Sequence, residues 1–216
     1  MGFQKKPVNH FSIAEEIWHA VTHGIGFIFS IAALALLISF ATLSGSAVHI
    51  TAAAIYGTAL IIMYGSSTLY HAITHQNIKY LFQKFDHAAI YFLIAGTYTP
   101  IMLITIGGAW GWTLFGIEWG IALIGISLKF LYPGRFEAFS LVAYVLMGWI
   151  IVVVFDTFRS NIDPTGFWLI IGGGIAYTSG IVFYVKDKIN YFHAIWHLFV
   201  LAGSILQFFA ILLYVV

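Results

Sequence analysis

Histidine is the residue type through which this chain could do chemistry: there are nine, beside nine Lys+Arg and eight Asp+Glu. His193 and His197 stand at i, i+4, so on a helix they share one face with Cβ atoms about 5–6 Å apart. Two imidazoles so placed can chelate one metal ion. A catalytic zinc commonly has three protein ligands and one open water position. His71, on another helix at the same depth, is the expected third ligand. Asp86 lies at that depth too and could hold and deprotonate a metal-bound water. Ser67 falls one turn deeper than His71 on the same face, suited to bonding a ligand, the water or a substrate oxygen. Zinc lowers the pKa of its water to about 7, which makes hydroxide available for attack on a carbonyl. Three neutral histidines without cysteine suit several divalent metals, so these residues alone leave the ion open.

A single His-x-x-x-His on a helix is more often an interfacial or hydrogen-bonded pair than a ligand pair. A third histidine and an aspartate from two other helices at one depth shift the balance towards a metal, because ionisable groups within spans are costly to bury and default to function. The remaining titratable residues divide by position. His75 is expected to face the headgroups, and His87, about 100° round a helix from Asp86, to have a different role. His10 and His49 are read as interfacial and inert, and Asp156 as lying at the outer interface. Glu118 is deep in a span, either lining a polar cavity or packed neutral. The roles of Glu16, His19 and His23 are left open.

The elements that position these residues follow from composition. The chain has 216 residues, 61% hydrophobic and only 8% charged, against about 45–50% and about 25% in a soluble domain. Too few charges exist to cover a water-facing surface, so the chain is read as an all-α integral membrane protein. Residues 24–78 contain no Asp, Glu, Lys or Arg, too long a stretch for one span of roughly 20 residues. Ser44-Gly45-Ser46 divides it into helices over 24–43 and 47–73, and further apolar runs cover 86–106, 109–131, 137–156, 165–185 and 193–216. The result is one seven-helix membrane domain over 1–216, with 1–23 as a cytoplasmic or interfacial N-terminal segment. Within it, 13–23 reads as an interfacial helix with an apolar stripe of Ile13, Ile17 and Val21 opposite Glu15, Glu16, His19 and His23. Pro100 should kink the third helix. The first apolar run exceeds a signal-peptide core and is expected to be retained.

Eight of the nine Lys and Arg residues fall on the N-terminal side of these spans and only Arg159 on the other, which makes the N-terminus cytoplasmic and the C-terminus external. Trp110, Trp112 and Trp168 then sit at the outer interface. Eight of the nine histidines share the cytoplasmic half, His49 being the exception. Net charge is +1, without the dense basic patch that nucleic acid requires. Cysteine is absent, which excludes disulfides, thiolate ligands and cysteine nucleophiles. Membrane lipids are the expected partners, a homo-oligomer is compatible with the sequence, and a bacterial plasma membrane is the expected location.

Several pieces in order resemble one family. They are Glu16-Ile-Trp-His19-Ala-Val-Thr22-His23-Gly24, Ser67-Thr-Leu-Tyr-His71, Lys84-Phe-Asp86 with Gly96-Thr-Tyr-Thr-Pro100, and His193-Ala-Ile-Trp-His197. The chain resembles the bacterial hemolysin III proteins, within the wider progestin and adipoQ receptor family and its alkaline ceramidase relatives. The resemblance implies seven helices, a cytoplasmic N-terminus, and zinc held by His71, His193 and His197 with Asp86 and Ser67 alongside. Relatives are associated with hydrolysing lipid amides such as ceramide, and the bacterial branch with haemolytic activity and membrane homeostasis. This chain departs from the pattern at His19, where the family usually has Asn. It also lacks the long cytoplasmic N-terminal region of the eukaryotic receptors, so receptor signalling is not carried over.

The leading functional expectation is a zinc-dependent membrane hydrolase of a lipid amide or ester at the inner leaflet, with Asp86 as general base and Ser67 supporting the oxyanion or the water. The alternatives are a non-enzymatic homeostasis or lipid-sensing protein with structural zinc, favoured by a closed four-ligand site, and a hemolysin-like membrane-disrupting protein. Spans with so few polar residues offer little with which to line a pore.

Overall fold

The computed structural model describes residues 11–43 and 45–216; Lys5, Lys6, His10 and Ser44 lie outside the described residues. Every regular element among them is helical: α1 (Ile13–Leu43), α2 (Ala47–Ala72), α3 (Gln76–Pro100), α4 (Gly108–Leu131), α5 (Glu137–Gly148), α6 (Phe155–Asn161), α7 (Pro164–Val185) and α8 (Phe192–Tyr214). They make seven helical segments long and apolar enough to cross a membrane, α5 and α6 together forming the fifth. Large apolar side chains such as Ile28, Phe29, Ile124, Leu146 and Val153 point outward. A water-soluble fold would bury them; a bilayer solvates them.

Short connections make successive spans antiparallel, so α1, α3, α5 and α8 begin at one end of the bundle, where α2, α4 and α7 finish. Lys79, Lys84, Lys129, Arg135, Lys186 and Lys188 lie at that end, and Arg159 and the exposed Trp110, Trp112 and Trp168 at the other. α1 packs between α2 and α8, and α3 runs on from α2 to α4. The α1–α2–α8 junction depends on a glycine. A Cβ on Gly26 would lie 2.5 Å from Tyr64 and 3.0 Å from Leu201, so only a residue without a side chain lets the helices meet there. Tyr64, held in that contact, donates its hydroxyl to Ser204 of α8 at 2.7 Å.

Two boundaries differ from the sequence expectation. The interfacial helix expected over 13–23 is continuous with the first span as the single helix Ile13–Leu43. Its apolar stripe, Ile13, Ile17 and Val21, faces outward, while Glu15, His19 and His23 are buried against α2 and α8. An amphipathic pattern cannot tell a helix lying on the bilayer from a span whose polar face meets protein. α3 begins at Gln76 rather than 86, because its first turns carry Lys79, Lys84 and Asp86 and so lower the local hydropathy. After Pro100 the third span continues as a π-helical turn over Ile101–Ile106. The missing proline N–H thus disturbs the ladder at the place expected, as a change of helix type. The fifth span is interrupted too, by a 3-10 stretch over Ile150–Val154. There the Gly148 carbonyl accepts the Tyr98 hydroxyl at 2.5 Å.

Candidate metal centre

Two local devices set the depth of the site. Ser12 and Glu15 form a capping box at the start of α1: Ser12 N and Oγ donate to Glu15 Oε2 at 2.9 and 2.8 Å, and Glu15 N donates back to Ser12 Oγ at 3.3 Å. This reciprocal pairing satisfies donors that the first turn leaves open. The second carboxylate oxygen of Glu15 accepts from Tyr191 N at 2.8 Å. Tyr191 is the N-cap of α8, in the left-handed region at φ 64°. Glu15 therefore ties the first turns of α1 and α8 together, which brings His19 level with His193 and His197.

Ligand atoms of His71, His193 and His197 all lie within 4.8 Å of one another, so α2 and α8 bring the three sequence-chosen ligands to one place. His71 and His197 are buried and His193 partly so. The tautomers of two are legible. His71 Nδ1 is 2.7 Å from Glu16 Oε2, and a carboxylate can only accept, so Nδ1 carries the proton and Nε2 the lone pair. His197 Nδ1 faces the His19 carbonyl at 3.3 Å and Thr22 Oγ1 at 3.2 Å. Thr22 in turn donates to the carbonyls of Trp18 and His19, which leaves its oxygen to accept. His197 Nδ1 is again the protonated nitrogen and Nε2 the one free to coordinate. A histidine whose far nitrogen donates to a carboxylate or carbonyl is the usual orientation of a metal ligand.

The donor set passes a test that does not depend on the ion. Buried imidazole nitrogens normally have a partner, yet among the described residues His71 Nε2 and His193 Nδ1 have none. Both nitrogens of His19 are also unpartnered. A bound cation would satisfy nitrogens of this kind, so the residues fit a metal.

Around this centre lie residues to which sequence reasoning gave no role. His19 is 0% exposed, and its ring centre is 4.6 Å from that of His71, 4.8 Å from His193 and 5.1 Å from His197. With Glu16 and His71 it forms a second triple of ligand atoms within 4.8 Å. Glu16 also pairs with Lys79 at 3.1 Å, and Lys79, almost fully buried, donates to the Tyr70 carbonyl at 2.8 Å. His23 stacks on His197 with centres 3.6 Å apart and planes 10° apart. Phe11 closes the near end, its ring 4.8 Å from His19 and 4.9 Å from His193. The signal was present: Glu16, His19 and His23 fall at i, i+3 and i+7, one helix face, opposite Ile13, Ile17 and Val21.

Ser67 is buried with its Oγ 2.8 Å from His23 Nδ1. Asp86 is buried on α3, outside the groups whose ligand atoms converge. The other titratable residues lie apart. His75 is exposed in the α2–α3 connection, and His87 faces Glu137 at 3.9 Å, which pairs with Lys129 at 2.6 Å. His49 is half-buried near the start of α2, Asp156 is exposed, and Glu118 is wholly buried with neither oxygen partnered. An apolar cavity begins one turn from the cluster, lined by Met63, Leu93, Tyr144, Tyr184, Trp196 and Val200.

A family model described as haemolysin-III related matches residues 11–208. The chain belongs to the haemolysin III family. Among haemolysin III relatives, "Hemolysin-3" of Bacillus cereus is 46% identical over 203 residues, covering 94% of this chain and 93% of the relative. The "Hemolysin-3 homolog" of Bacillus subtilis (strain 168) is 46% identical over 206 residues, covering 95% and 97%. More distantly, the "Monocyte to macrophage differentiation factor" of Homo sapiens is 31% identical over 163 residues, covering 73% of this chain and 67% of that protein. The match reaches from Phe11, against the cluster, to Phe208 in α8, so this haemolysin III chain carries the family's pattern across all seven apolar segments.

Proposed function

We propose that this chain is a zinc-dependent hydrolase of a lipid amide or ester, working within the plasma membrane at the cytoplasmic leaflet. The observation that carries the reading is the convergence of His71, His193 and His197, with His71 Nε2 and His193 Nδ1 unpartnered, beside a cavity whose lining is almost wholly apolar. Zinc held by these three histidines would supply Lewis acidity and an activated water. Asp86 takes the proton of the attacking water onto its carboxylate and returns it to the departing amine or alcohol. Ser67, hydrogen-bonded to His23 Nδ1 at 2.8 Å, supports the oxyanion or the water. The cavity between α3, α5, α7 and α8 receives the acyl chain and keeps bulk water away. The bias of Lys and Arg towards the histidine end of the bundle supports its cytoplasmic placement.

The test is Asp86→Asn in detergent-purified protein offered lipid amides and esters, ceramide among them. The reading expects metal content to persist and turnover to be lost; undiminished hydrolysis by the variant overturns it. A second reading is favoured by His19: a fourth imidazole at the cluster suits a metal that holds helices together in a non-enzymatic membrane protein. Protein with its metal in place that cleaves no lipid amide or ester would support that reading.

A further inference from the structure

Resting on the reading that the apolar cavity takes an acyl chain whose polar end lies at the histidine centre, we infer that Gln207 is the floor of that cavity and limits the chain to about 12 carbons. α8 runs into the bundle from the histidine end, and the lining descends along it from Trp196 through Val200 to the buried Gln207. The helical rise from His197 to Gln207 is about 15 Å. A zigzag carbon chain with bonds of about 1.5 Å advances about 1.25 Å per carbon, so about 12 carbons fill that depth.

The other helices stop lining the cavity at the same level. Their deepest lining residues are Tyr98 on α3, Trp149 just after α5 and Gly174 on α7, and contacts join these into one layer. The Tyr98 hydroxyl donates to the Gly148 carbonyl at 2.5 Å. The Trp149 ring lies 3.5 Å from where a Cβ on Gly174 would stand. On the side that faces lipid, Trp149 Nε1 donates to the exposed Thr178 Oγ1 at 3.0 Å. Gln207 completes the layer: a Cβ on Gly173 would lie 2.6 Å from Gln207 Cγ, so its stem rests on bare backbone of α7. Beyond the layer, Ile101, Met102, Ile151 and Ile211 are buried in the core, and none of them lines the cavity. A longer chain would have to displace that core, and packed cores tolerate added volume poorly. Gln207 stands where the axis descending from His197 ends, which makes it the side chain that a chain terminus meets.

The experiment offers detergent-purified protein an equimolar series of saturated fatty acids from octanoic to stearic acid. Mass spectrometry then compares the retained fraction with the composition of the micelles. Retention is expected up to dodecanoic acid, with a loss of at least about tenfold by palmitic acid. Gln207→Ala shortens the floor residue and should move the limit outward by about two carbons, whereas Gln207→Leu, of similar bulk, should leave it in place. Wild-type protein that retains every length alike overturns the inference without any variant having to fold. A limit that stays put in Gln207→Ala, or moves equally in Gln207→Leu, contradicts the assignment to Gln207. Protein that retains no fatty acid of any length instead overturns the acyl-chain reading of the cavity itself.

Discussion

Glu16 accepts the Nδ1 hydrogen of His71 across 2.7 Å, joining α1 to α2 at the point where the candidate ligands from α2 and α8 meet. The bond fixes the His71 tautomer, turns Nε2 towards the cluster, and sets a carboxylate behind the ligand. Carboxylates in that position raise ligand basicity, and losing one typically costs about 10–100-fold in metal affinity. Glu16→Gln should therefore retain the cluster but bind metal about 10–100-fold more weakly in chelator competition. An unchanged affinity would show that Glu16 does not orient a ligand.

Glu15 acts on the frame. Its carboxylate serves both the Ser12 cap and the Tyr191 amide, so Glu15→Ala removes a capping interaction and a hydrogen bond from a charged acceptor. The expected loss is about 1–3 kcal/mol, seen as a lower unfolding temperature in detergent. Faster hydrogen exchange in the first turn of α8 should accompany it; exchange unchanged at Tyr191 and Phe192 would contradict the tie.

Gly26 sets the spacing of the helices below the site. Because a side chain there would meet Tyr64 and Leu201, Gly26→Val should destabilise the protein by about 1–3 kcal/mol through overpacking. Gly116, where a Cβ meets nothing within 4 Å, supplies the control: Gly116→Ala should leave the unfolding temperature unlowered. Equal losses in the two variants would show that close approach is not what Gly26 provides.

Orientation can be read chemically because the chain has no cysteine. Arg159 and Lys186 are both exposed and stand at opposite ends of the bundle. In intact cells a membrane-impermeant maleimide should label Arg159→Cys and not Lys186→Cys. The reverse pattern would turn the protein over and put the histidine cluster outside.

The seven spans were legible in the sequence because a bilayer demands long apolar runs, and Gly45, Gly107 and Asp163-Pro164 mark their ends by turn chemistry that needs no tertiary context. The first turns of α3 were not, since Lys79 and Asp86 are buried against other helices and read as loop when hydropathy is summed along one chain. His71, His193 and His197 could be picked out by i, i+4 spacing and a shared depth. Glu16, His19 and His23 carried an equally regular i, i+3, i+7 spacing, but its meaning depended on what faced that side of α1. Only the packing of α1 between α2 and α8 decides that the polar face meets histidines and not headgroups. The Ser67–His23 bond likewise joins residues 44 positions apart, a distance over which spacing says nothing.

The central claim is that the histidine cluster holds a metal ion, and elemental mass spectrometry of chelator-free, detergent-purified protein tests it most directly. About one zinc per chain in the wild type, lost in the His193→Ala/His197→Ala double variant, is the predicted result. A wild type with no stoichiometric metal, or a double variant that keeps it, would contradict the account.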